Sequence, residues 1–172
     1  MPVALHLASL QAFLILHSVQ LWDGDVKQRA QAESHARVLE DWALLLHLRL
    51  LKSRDKLSTS KTTWSEWIVA ESARRTILMT LLAQGVYESS KYGACTYVPL
   101  MAELPFTTND GPWNARDING WMEEIENRGT EIATYVGFAT RWKTVGRGHL
   151  DTFAKLLLVP CLGVTYRDRL SL

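Results

Sequence analysis

At 172 residues, with 47% hydrophobic and 22% charged side chains, the chain can bury a sizeable core and lies far from the composition of a disordered segment. A formal net charge of +1 gives no global attraction to nucleic acid or acidic membranes. Its two cysteines, Cys95 and Cys161, are too few for a disulfide scaffold or a cysteine-based zinc module, and read as small buried hydrophobes in a reducing intracellular setting.

Few Pro and Gly, with frequent Leu, Ala, Arg and Glu, favour helices. Val3 to Leu21 reads as a first helix, apolar nearly all round as a helix buried among others would be, with Asp23-Gly24-Asp25 as its stop. It lacks a basic n-region, and His6, Gln11, His17 and Gln20 interrupt it, so a core helix fits better than a signal peptide or a membrane span. At about 100° per residue, His6, Ser9, His17 and Gln20 fall on one narrow stripe, expected as a solvated seam or, less simply, as the polar lining of a pocket.

A second helix is expected from about Asp25 to Leu51. Its first half is polar and belongs in solvent; its second half, around Trp42 to Leu48, is apolar on all sides and should pack deep. Lys52 to Thr62 is polar and reads as a loop. The third helix opens on Thr63-Trp64-Ser65-Glu66, a capping box, and runs to about Ser89 with Gly93 ending the segment. Thr96 to Trp113 holds Pro99, Pro105 and Pro112 and is expected to be extended, with Leu100, Met101, Leu104 and Phe106 inserted into the body. A fourth helix spans about Asn114 to Arg128, with Trp113, Ile118, Trp121 and Ile125 on one face and Gly129 after it. A weaker helical stretch covers Glu131 to Trp142, and a last helix, His149 to Val159, is stopped by Pro160. The expected fold is therefore all-α: an irregular multi-helix domain over 1–172, with a proline-containing extended segment between helices three and four.

On the third helix, Trp64, Trp67, Ile68, Leu78, Leu82 and Val86 cluster on one face, and Glu71 and Arg75 land in the middle of that apolar stripe. They are four apart with the acid first, the favourable order for an intrahelical pair, and Arg74 sits at the edge. An unpaired charge there costs several kcal/mol, so a structural ion pair of Glu71 with Arg75 and Arg74 is expected; binding of a ligand carboxylate or phosphate by the two arginines is the sharper alternative.

Nothing in the chain assembles a catalytic, cofactor or metal site. There is no clustered aspartate run for metal-bound diphosphates, and Asp23-Gly24-Asp25 is too short for a calcium loop. The five histidines, at 6, 17, 35, 47 and 149, lack the pairing zinc needs. Gly146-Arg147-Gly148 lacks the strand and third glycine of a phosphate loop. No enzymatic activity, cofactor or metal is expected.

Trp64-Ser65-Glu66-Trp67-Ile68-Val69-Ala70-Glu71-Ser72-Ala73-Arg74-Arg75-Thr76 resembles the signature of the fungal-specific transcription factor domain, the middle homology region of zinc binuclear cluster regulators. Leu10 to Leu16 with Gly24-Asp25, then Glu103-Leu104-Pro105, then Trp113-Asn114-Ala115 followed by Trp121, resemble further elements of that domain in the same order. Trp64, Trp67, Trp113 and Trp121 are its signature aromatic positions in this chain. The resemblance implies an all-helical regulatory domain of a nuclear fungal protein that controls transcription through a protein partner, the remainder of a longer regulator, or a small-molecule effector. No cysteine precedes Cys95, so the family's six-cysteine zinc cluster is absent, and there is no heptad tract or basic arm. Direct nucleic-acid reading and membrane binding are therefore not expected, and the domain reads as incomplete at its N-terminus. The alternative is a stand-alone helical small-molecule-binding protein or enzyme of a fungal biosynthetic gene cluster.

Overall fold

The structure, a computed structural model, describes residues 1–57, 62–145, 150 and 152–162, with side chains of 53–57, 145 and 159–162 left aside. The described residues form the expected all-α fold: eight helices and one two-stranded sheet among them. They fall into two compact units, Met1–Leu100 and Met101–Leu172.

The first unit is built on three long helices packed on one another, α1 (Val3–Trp22), α2 (Val26–Leu57) and α3 (Trp64–Tyr92). Gly24 permits the tight α1–α2 turn, because a Cβ there would meet the Gln20 carbonyl oxygen at 2.2 Å. Asp25 and Gln28 then cap α2 reciprocally: the Gln28 amide donates to Asp25 Oδ1 at 2.8 Å and the Asp25 amide to Gln28 Oε1 at 3.0 Å. The α3 capping box is formed, with the Thr63 amide donating to Glu66 Oε2 at 2.9 Å. Gly93 closes α3 at φ 75, the left-handed conformation that suits glycine. Leu10, Leu39, Ala43, Leu46, Ile77, Leu78 and Leu81 make a dry core between the three helices.

Two expectations about faces are corrected here. α1 buries one side only, and Leu5, Ile15, Leu16, Val19 and Trp22 are exposed on the other. His6 and His17, expected on a solvated seam, are instead almost fully buried, and Ser9 and Gln20 are half-buried. The apolar residues of α1 outnumber what one side can cover, so periodicity located the stripe without saying which side was inward. Likewise the apolar second half of α2 buries Ala43 and Leu46 but exposes Trp42, Leu45, Leu48 and Leu51. By length and composition α1 would suffice to cross a membrane, yet its inner side carries the two buried histidines against its neighbours.

α2 runs to Leu57, six residues past the expected end, because Lys, Arg and Asp in 52–56 tolerate helix. The segment from Thr96 to Trp113 is less extended than expected. It holds α4 (Val98–Ala102), β1 (Pro105–Thr107) and α5 (Gly111–Asn114). Pro99 and Pro112 each stand in a helix first turn, where no intrahelical N–H is needed, and Pro105 opens a strand.

In the second unit, α6 (Ile118–Arg128) starts afresh at Asp117, whose Oδ1 accepts from the Gly120 amide at 2.8 Å; this breaks the single helix expected from Asn114. α6 has no fully buried residue, and Ile118 of its expected inner face is exposed. Ile132–Thr134, expected as helix, forms β2 antiparallel to β1, with Phe106 opposite Ala133. β-branched Ile132 and Thr134 suit that pairing. α7 (Tyr135–Val145) and α8 (Thr152–Leu162) complete the unit, α8 passing through Pro160 to Leu162 instead of stopping before it. Phe106, fully buried, meets the rings of Phe138 and Phe153 edge-on at 5.2 and 5.8 Å, and Leu157 and Leu158 fill the same core. The Tyr135 hydroxyl donates to the Leu157 carbonyl at 2.8 Å.

Candidate functional site

The polar groups of the first unit gather on two sides of α3. On one side Glu71 is 0% exposed. Its two oxygens accept from successive arginines one turn on, Oε2 from Arg74 Nε at 2.8 Å and Oε1 from Arg75 Nε at 3.0 Å. Spacings of three and four put both guanidiniums over the same carboxylate, and charge-assisted bonds of this length are the strong kind. Arg75 is buried and Arg74 half-buried, so a single acid is shared by two bases away from bulk water. Trp67, one turn earlier, and Leu78 and Leu82, further along, are buried on this side too. Trp64 is half-buried, with its Nε1 buried and lacking a hydrogen-bond partner. Val86, expected to extend the stripe, is exposed near the helix end.

The roughly opposite side of α3 carries Thr76, Thr80 and Gln84, each four residues after the last and all buried. Gln11 of α1 donates from Nε2 to Thr76 Oγ1 at 3.2 Å, and the Thr80 hydroxyl donates to the Thr76 carbonyl at 2.8 Å. The Nε2 atoms of Gln84 and His17 share a hydrogen bond of 3.0 Å. Burial pushes the His17 pKa below the ordinary imidazole value, and neighbouring His35 adds to this against the bond to Gln84. His6 is lowered by burial and by Arg49, and His47 by burial. Glu33 of α2 ties α3 from outside, bonded to Tyr87 and Lys91.

The polar contacts between α1 and α3 went unnoticed in the sequence. Their signal was there, in polar residues four apart at 76, 80 and 84 within the otherwise apolar run from Thr76 to Val86. The signature aromatic positions are divided between the units: Trp64 and Trp67 belong to the first, and Trp113 and Trp121, both half-buried, to α5 and α6 of the second. Cys95 is free and half-buried, not fully buried; its Sγ would lie 2.7 Å from a Cβ added at Gly85. The side chain of Cys161, together with His149 and Gly146-Arg147-Gly148, lies outside the described residues. Among the described residues no three His, Cys, Asp or Glu side chains come together as metal ligands would.

The arrangement is thus a charged cluster and a polar ladder buried on two sides of α3. Over 131 residues, from 71% of this chain, the sequence is 35% identical to the transcription factor gsfR2 of Penicillium aethiopicum. The chain is related to a fungal transcription factor. It spans about a third of that relative, the alignment covering 31% of its length. No family model matches the chain, and no solved structure does.

Proposed function

We propose that this chain is a regulatory domain of the fungal transcription factor type, acting in the nucleus through contacts with a partner or effector and not by reading DNA or by catalysis. The relation to a fungal transcription factor over most of the chain carries this reading. The middle homology signature adds to it, since Trp67, Glu71 and Arg75 of that signature are buried together on α3. Residues buried in this way set the shape of a domain and leave its outer faces to meet partners. The near-zero net charge gives no general attraction to the phosphate backbone.

A tethering assay tests the reading. Fused to a DNA-binding domain of known site in a fungal reporter strain, the chain should change reporter transcription severalfold, and the chain alone should not retard duplex DNA at physiological salt. A stable, nuclear fusion that leaves the reporter at its starting level would refute the regulatory role. Tight binding of DNA by the chain alone would refute the contact-only mechanism.

A further inference from the structure

The outward side of α1 is apolar along its length. Leu5, Ala12, Ile15, Leu16 and Val19 are exposed there, Ile15 to 66% and Leu16 to 56%, with Trp22 at the edge, its ring against Tyr87 of α3. At about 100° per residue they fall within one face roughly 120° wide. No charged side chain occurs from Met1 to Trp22. Beside α1, α2 adds exposed apolar groups among the charged Arg37 and Asp41. Trp42 of α2 stands edge-on to Phe13 at 5.6 Å and to His6 at 6.1 Å, and Val38 and Leu45, one turn to either side of it, are exposed as well. The largest apolar patch of a soluble monomer is commonly about 300–600 Å², and the exposed α1 side chains together reach on the order of 600 Å², the top of that range. That approaches the ~800 Å² per partner of a standard stable interface.

We propose that this face is an interface between two copies of the chain, with α1 packed on α1 across a twofold axis. The occupant follows from the charge pattern. In a twofold contact each surface meets itself, so any ionised group near the axis meets its own copy, and the α1 part of this face, which carries no charged side chain, avoids that repulsion. A helix that lies on a membrane surface carries Lys and Arg on its polar side, and α1 has none. Shape agrees with charge. Ala4, Ala8 and Ala12, all exposed, run four apart along the face and let two helix axes approach closely, while Leu5, Ile15 and Leu16 beside them supply ridges to fill the grooves. Such a dimer does not depend on the transcription reading.

Sedimentation velocity of the whole chain tests the interface. The wild-type protein should sediment at twice the monomer mass, dissociating on dilution. Ile15→Glu/Val19→Glu, both at exposed positions, should weaken association by about 100-fold or more with helix content unchanged, since like charges would then face each other. Ile118→Glu, on exposed α6 of the other unit, should leave the dimer intact. A wild-type chain monomeric at every concentration overturns the proposal, as does a dimer that ignores the α1 charges or is lost with Ile118→Glu. Capture of a monomeric wild-type chain by neutral phosphatidylcholine vesicles would assign the face to a membrane and overturn it too. Should the double variant unfold, the wild-type mass and the milder Leu16→Ser variant decide the same question.

Discussion

Glu71 holds its place in an apolar stripe because two guanidiniums neutralise it, and each of those depends on it in turn. Removing the acid leaves two buried or half-buried cations without that carboxylate. Glu71→Ala is therefore expected to lower stability by about 3–5 kcal/mol in urea denaturation, the range seen when one member of a buried pair is deleted. Glu71→Gln keeps the shape and loses the charge, so it should fall between the two; a wild-type midpoint for Glu71→Ala would mean that the carboxylate contributes nothing. The buried histidines make a second prediction. His6, His17 and His47 all have pKa values below 6.5 in the fold, so between those values and 6.5 the unfolded chain binds more protons than the folded one. Their contribution to stability is whole above pH 6.5 and is lost as pH falls below it, with a slope of up to about 1.4 kcal/mol per pH unit for each ring. Glu33, Glu66 and Glu131 have lowered values too, but their loss falls at lower pH, below 4.5. Urea midpoints at pH 7.5 and 5.5 should thus differ clearly, and His17→Gln should reduce the difference. Equal midpoints at the two pH values would rule the histidines out as the acid-sensitive groups.

At the scale of elements, α3 was legible from end to end because its signals are local. A capping box fixes its start, an apolar stripe its length and a left-handed glycine its stop. Thr63→Ala should cost about 1 kcal/mol, read as a lowered melting temperature, with Thr63→Ser close to wild type. What was not legible depends on partners distant in sequence. Ile132–Thr134 becomes a strand because Pro105–Thr107 is there to pair with it, which no local window around 132 contains. The prolines between 96 and 113 were read as helix breakers, but Pro99 and Pro112 stand where a helix tolerates them, in its first turn. Glu71 was found because a charge in an apolar stripe stands out. Thr76, Thr80 and Gln84 were missed because such residues are ordinary on any helix, and their meaning comes only from Gln11 and His17 on α1. On α1 and α2 the period was right and the facing wrong, since a helix apolar on most sides does not declare which side is inward.

For the molecule as a whole, the division at residue 100 has a thermodynamic consequence. Each unit owns a core: Leu10, Leu39, Ile77 and Leu81 in the first, Phe106, Phe138, Leu157 and Leu158 in the second. The second unit relies on short elements, a three-residue strand pair and a helix, α6, with nothing fully buried. Regions with few buried apolar groups open at lower free energy than core helices, so amides of α6 should exchange sooner than those of α3. Phe106→Ala removes a ring that is 0% exposed and touches two other aromatics, a change expected to cost about 3–5 kcal/mol. If each unit is its own cooperative block, that cost should appear as faster hydrogen exchange throughout β1, β2 and α7, with the amides of Leu10 and Leu81 keeping wild-type protection. Equal acceleration on both sides of residue 100 would mean that the chain unfolds as one block, and that the two cores stabilise each other as strongly as each holds itself together.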